Sequence, residues 1–121
     1  MIDAQLLAER YAALWNETDP ATRRATIEAL WRPDGHHFVN ATHAQGFDAL
    51  EQRVRGSHEK NVRDAGHSFR LAGLARQLLG VVTFNWQMVQ PATSAVLATG
   101  LEFLEIDDGG RIVRDWQFIV G

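Results

Sequence analysis

The chain has 121 residues, no Cys, 10 Gly and 3 Pro, and its 12 basic and 15 acidic side chains give a net charge of −3. That is the length of a single domain, residues 1–121, with enough chain for one core. No basic excess favours nucleic acid, no thiol supports a disulfide scaffold, a cysteine nucleophile or a thiolate metal site, and no apolar run approaches the ~20 residues of a bilayer span.

Met1-Ile2-Asp3 opens neither a basic nor an apolar leader segment, so a cytoplasmic protein is the expectation. Asp3 is placed to cap a first helix in which Leu7, Tyr11, Leu14 and Trp15 recur at helical spacing. Asp19-Pro20 is a cap followed by proline at the first helical position, and the second helix is expected to reach about Trp31. Pro33-Asp34-Gly35 reads as a break and turn, and His36 to Ala41 as a short strand. His43 falls in the loop that follows. Gly46 precedes a third helix, with Phe47, Leu50 and Val54 as its buried stripe, which decays between Asn61 and Gly66.

From there the period changes to two. His67, Phe69 and Leu71 alternate, as do Val82, Phe84, Trp86 and Met88. Pro91 to Ser94 reads as a turn, Ala95 to Ile106 as a long strand, Asp107 to Gly110 as a tight turn and Arg111 to Val120 as the last strand. Helices first and a meander afterwards predict an α+β domain with helices on one face of an antiparallel sheet. In the last strand Asp115, Gln117 and Ile119 share one face, and Trp116, Phe118 and Val120 the other. An outer face carrying Trp116 and Phe118 predicts a homodimer through it.

The run Arg10-Tyr11-Ala12-Ala13-Leu14-Trp15-Asn16, then Leu30 to Gly35, Gly46 to Leu50 and Gly66 to Arg70, with Asp108-Gly109-Gly110-Arg111-Ile112-Val113 before a final aromatic strand, resembles the SnoaL-like branch of the nuclear transport factor 2-like (NTF2-like) superfamily. The resemblance implies a cone: three helices closing over a curved antiparallel sheet, with an internal pocket and dimerisation through the outer sheet face. That superfamily includes ketosteroid isomerases, polyketide cyclases, dehydratases, epoxide hydrolases and non-catalytic modules, so function must come from the site. By resemblance to the isomerases, Tyr11 matches their oxyanion tyrosine and Glu102 their protonated carboxylic acid. Their base position is Val39 here, followed by Asn40. The cyclases resemble the chain at Trp116, but Gln117 stands where their catalytic Asp would be.

Asp115 and Glu102 are the candidate acid/base carboxylates, because both are predicted to point inward from the sheet. The competing reading pairs Asp115 with a nearby Arg such as Arg111 or Arg114. Tyr11 and His43 complete the candidate catalytic set, His43 as a loop residue at a pocket rim. Trp15, Trp31, Phe84 and Trp86 are expected as pocket walls suited to a flat apolar or aromatic ligand, and Asn40, Val54, His58 and Gln117 as further substrate contacts. His36 and His37 point to opposite strand faces, and no local His and carboxylate set has zinc spacing, so no metal is expected. No phosphate loop or nucleophile elbow appears, so no cofactor is expected. Three functions fit: cofactor-free proton transfer on a small hydrophobic molecule, a non-catalytic binding or assembly module, and hydrolysis by an activated water. The last requires a His nitrogen within about 3.2 Å of a pocket carboxylate.

Overall fold

The computed structural model describes residues 2–121. The elements are α1 Ala4–Asn16, α2 Pro20–Leu30, β1 Trp31–Val39, β2 Thr42–Gln45, α3 Phe47–Ser57, a π-helical turn His58–Asp64, β3 Ser68–Leu78, β4 Val81–Gln90, β5 Ala95–Ile106 and β6 Ile112–Ile119. They form three helices packed on one six-stranded open sheet of order β2-β1-β6-β5-β4-β3, the expected α+β architecture. No helix among the described residues is long and apolar enough to cross a membrane.

The helix starts follow local chemistry. Asp3 accepts a hydrogen bond from the Leu6 amide at 3.0 Å and Asp19 from the Thr22 amide at 2.9 Å, each satisfying a donor left free in a first turn. Pro20 occupies the first turn of α2, where its missing N–H costs nothing. The inward stripe of α1 (Leu7, Tyr11, Leu14, Trp15) packs with Ile27 and Leu30 of α2, Leu50 and Val54 of α3, and the sheet residues Val82, Phe84, Leu104 and Ile112.

Two polar clamps hold α1 on the sheet. The Asn16 side chain acts as a short strand, donating to the Phe69 carbonyl at 2.7 Å and accepting from the Phe69 amide at 2.8 Å. Near the other end, Gln5 accepts from the Ala75 amide at 2.8 Å, beside the irregularity in the β3–β4 ladder. Tyr11 lies between these clamps, so its height above the sheet is set from both sides.

Three local expectations change. The second helix ends at Leu30, and the strand begins at Trp31 and runs through Pro33-Asp34-Gly35. Proline is tolerated there because β2 pairs with β1 only from His36 onward and the β1–β6 ladder is irregular between Trp31 and His36, so no partner needs the missing amide. The first strand stops at Val39 instead of Ala41: Asn40, at φ 50°, turns the chain into β2, with Val39 opposite Thr42. Finally, β1 runs parallel to β6, whereas every other strand pair is antiparallel. This parallel register sets His37 opposite Asp115 and Phe38 opposite Trp116.

Gly100 of β5 makes room for the Trp86 indole. A Cβ built on it would lie 2.1 Å from two ring carbons of Trp86, a separation no packed core accepts. We expect Gly100→Ala to destabilise the fold by about 1–3 kcal/mol through overpacking. In a Trp86→Leu background the same change should cost markedly less in urea unfolding. An equal cost in both backgrounds would contradict the steric account.

Candidate functional site

The concave side of the sheet and the α1–α3 face enclose a cavity of about 520 Å³, within the usual size for small-molecule sites. Its apolar wall includes Trp15, Phe69, Trp86 and Met88, and its polar lining includes Asn40, Gln52, Arg53, Lys60 and Gln117. Tyr11 and Glu102 belong to its floor.

Beneath that floor is a connected buried network. The Tyr11 hydroxyl lies 2.6 Å from Asp115 Oδ2 and 3.1 Å from Glu102 Oε2. Trp86 Nε1 donates to Glu102 Oε1 at 2.9 Å. His37 Nδ1 is 2.7 Å from Asp115 Oδ2, and Arg53 Nε points at His37 Nε2 across a long 3.4 Å. Tyr11, His37, Glu102 and Asp115 are each at most 2 % exposed.

A phenol has one proton and cannot serve two carboxylates at once. The shorter contact assigns that proton to Asp115. Glu102 then needs a proton of its own, which its Oε2–H directs to the Tyr11 oxygen. The electrostatics agree. Burial, reinforced by the negative charge of Asp115, pushes the Glu102 carboxyl well above its ordinary value of 4.5. For Asp115, burial alone would raise the carboxyl, but the attraction of His37 and the hydrogen bonds with His37 and Tyr11 outweigh it and hold it below its ordinary value. Burial and the two carboxyls raise the Tyr11 phenol far above its usual range. Nearly equal side-chain types thus take opposite states, Glu102 neutral and Asp115 ionised.

The expected site residues separate into two groups. Tyr11, Trp15, Asn40, Trp86, Glu102 and Gln117 line the cavity. Asp115 is inward-facing as expected, but lies behind the floor, bonded to Tyr11 and His37 and not to Arg111 or Arg114. Trp31, Phe84 and Val54 are core residues away from the cavity lining, the Trp31 and Phe84 rings packing against Tyr11 of α1. His58 is buried in the π-helical turn outside the lining; burial, aided by Arg23 and Arg63, lowers its pKa. His43 is not at a pocket rim. It sits on β2, with Nε2 2.8 Å from His36 Nδ1 and its ring stacked on Phe38, on the outer face that also carries Trp116.

His37 is absent from the expected set. Alternation already turned it away from His36, but only the parallel β1–β6 register brings it to Asp115. Arg53 and Lys60 were missed too, because a helical stripe picks out apolar positions and both are polar. His37, Glu102 and Asp115 are also the one group among the described residues with donor atoms within 4.8 Å of one another in the manner of metal ligands. These side chains come from three strands, which is why no local spacing announced them. With the Tyr11 hydroxyl bonded to both carboxyls and Glu102 neutral, the group is a hydrogen-bonded cluster, not an anionic cage.

The raised Glu102 carboxyl has a thermodynamic consequence. A carboxyl with a higher pKa in the folded chain binds more protons folded than unfolded, so its contribution favours folding at low pH and is lost as pH rises from about 4.5 toward the folded value. Asp115 stays ionised throughout that window and adds no slope there. Glu102→Gln keeps the shape and removes the titration. The variant should gain stability over the wild type as pH rises above about 4.5, by up to about 1.4 kcal/mol per pH unit. Urea unfolding between pH 4.5 and 8 checks this, and a pH-independent difference would contradict it.

No protein-family model matches the sequence, and no curated protein matches it. Solved structures do. A proposed isomerase of the SnoaL-like family from Agrobacterium tumefaciens str. C58 superposes with a TM-score of 0.88 at 23 % identity, covering 99 % of this chain and 100 % of its own. An NTF2-like protein of unknown function from Exiguobacterium sp. 255-15 gives 0.71 at 21 % identity over 94 % and 98 % of the two chains. A proposed polyketide cyclase from Sinorhizobium meliloti gives 0.71 at 12 % identity over 97 % and 100 %. At these identities it is the architecture that is shared, over nearly the whole chain, and the protein therefore has the NTF2-like fold in the form found in SnoaL-like structures.

Proposed function

We propose that the protein binds a small hydrophobic molecule in the cavity and relocates a proton on it without a cofactor, as an isomerase, cyclase or dehydratase would. The observation that carries this reading is the buried Glu102 carboxyl at the cavity floor, paired with Tyr11 and Trp86, with Asp115 and His37 behind it. A ligand oxygen at the floor takes the proton from Glu102. The carboxylate left behind is held by the Trp86 N–H, while the Tyr11 hydroxyl stays on Asp115. That carboxylate then takes a proton from another position of the ligand, so Glu102 serves first as acid and then as base. Asp115, kept ionised by His37, is a positioning residue that never meets the ligand. The similarity to a proposed isomerase and a proposed polyketide cyclase supports the same class of chemistry.

A non-catalytic binding module is the second reading. It is favoured by one observation: both Glu102 oxygens already have partners, and the side chain has no exposed surface. Water activation by an Asp and His pair has less support. The His37–Asp115 distance of 2.7 Å meets its requirement, yet both side chains are sealed from water. The proposal also includes a homodimer through the outer face, supported by Phe118 at 53 % and Phe103 at 37 % exposure beside Trp116. In sedimentation, Phe118→Asp should shift a dimer toward monomer; a wild-type monomer at micromolar concentration would sink this part.

The catalytic claim is tested by screening ring ketones, enols and hydroxy ketones for turnover. On any substrate found, Glu102→Gln should lower kcat by about 10²–10⁴-fold with the far-UV spectrum intact. Unchanged turnover in that variant rules out the assignment, and binding without turnover across the screen favours the module.

A further inference from the structure

The proposed chemistry leaves the charge of the ligand open, and the cavity wall addresses it. Resting on the reading of the cavity as a binding site, we infer that the ligand is a small, largely apolar carboxylic acid whose carboxylate is held by Arg53 and Lys60.

The charges lining the cavity are unbalanced. Arg53 and Lys60 are its cations, and its one carboxyl, Glu102, is the neutral group of the floor network. Neither cation has a carboxylate within 4.0 Å among the described residues, and Asp115, the nearest ionised acid in the network, lies behind the floor on the far side of His37. Both cations face the same cavity, so an anionic group bound there would meet two positive charges at once.

Arg53 is also presented in a way that suits a carboxylate. Its guanidinium lies over the Trp15 ring at 5.1 Å, and its Nε points at His37. Those contacts use the planar face and one N–H. The two terminal nitrogens make no hydrogen bond to the protein among the described residues, which leaves a forked edge that matches a carboxylate in bidentate fashion. Partial burial already disfavours the charged guanidinium, and an incoming anion would offset that cost.

Lys60 enters from the π-helical turn that prolongs α3. Such turns re-aim side chains that a regular helix would carry elsewhere. Two cations suit a monoanion better than a phosphate ester, which ordinarily gathers more donors. The apolar body of the ligand would rest on Trp15, Phe69, Trp86 and Met88, leaving its far end for Glu102. The protein would thus grip an acid at one end and move a proton at the other.

Matched flat probes test this. Calorimetric titration of 2-naphthoate and 2-naphthamide compares an anion with a neutral molecule of nearly the same shape. The carboxylate should bind about 10- to 100-fold more tightly, and raising the salt concentration should narrow that preference. Arg53→Gln and Lys60→Gln should each reduce the preference. Lys60 is exposed, so its variant gives a reading even if Arg53→Gln folds poorly. Equal affinity of the two probes in the wild type overturns the anion site but leaves the cavity as a binding site. A preference undiminished in both variants overturns the assignment to these side chains. Failure of both probes to bind at millimolar concentration overturns the anion site and the binding reading together.

Discussion

The site is organised by one proton on one hydroxyl. Tyr11 stands between two buried carboxyls and can donate to only one of them, so the pair must divide into an ionised and a protonated member. Geometry decides which. Asp115 has the shorter contact to Tyr11 and the His37 ring at 2.7 Å, while Glu102 has the Trp86 N–H and no cation at hydrogen-bond distance. A buried carboxylate without a cation is costly and takes up a proton. The neutral acid is therefore the one nearer the cavity, and the charge is kept behind it.

Much of the fold serves this arrangement. Asn16 and Gln5 tie α1 to β3 on either side of Tyr11, so the hydroxyl cannot drift from the carboxyls. The missing side chain at Gly100 lets the Trp86 indole lie across β5 and reach Glu102. The parallel β1–β6 pairing sets His37 beside Asp115. Each involves the backbone of the sheet, and together they hold the network in place. Such pre-organisation is what a proton-transfer site requires.

The helices and the long strands were legible in the chain because their signals are local. The Leu7, Tyr11, Leu14 and Trp15 stripe, the Asp3 and Asp19 caps, and the alternation from Ala95 to Ile106 act over a few residues, and the structure follows them. The same period of two puts Asp115 on one face with Gln117 and Ile119, and the family resemblance is what makes that face the inner one. What depends on register was not legible. Nothing near His37 indicates that β1 would lie parallel to β6, so its partner Asp115, far along the chain, could not be read. Pro33 reads as a break in the sequence because its tolerance depends on where β2 stops pairing. His43 reads as a loop residue because four residues of strand, Thr42–Gln45, are too few to show a period, and the resemblance puts that loop at a pocket rim. Trp31, Phe84 and Val54 have the right chemistry for a pocket wall, and only packing sends them to the core.

The most direct test is the charge of Glu102 itself. Carbon-13 labelling of glutamate carboxyls, with Glu102→Gln to assign the signal, reports protonation at this one position by NMR. The account predicts a Glu102 signal in the neutral-acid position at pH 7, titrating well above its ordinary value of 4.5. A Glu102 signal that is already ionised at pH 7 and titrates near that ordinary value would contradict the division of roles between the two carboxyls, and with it the proposed chemistry.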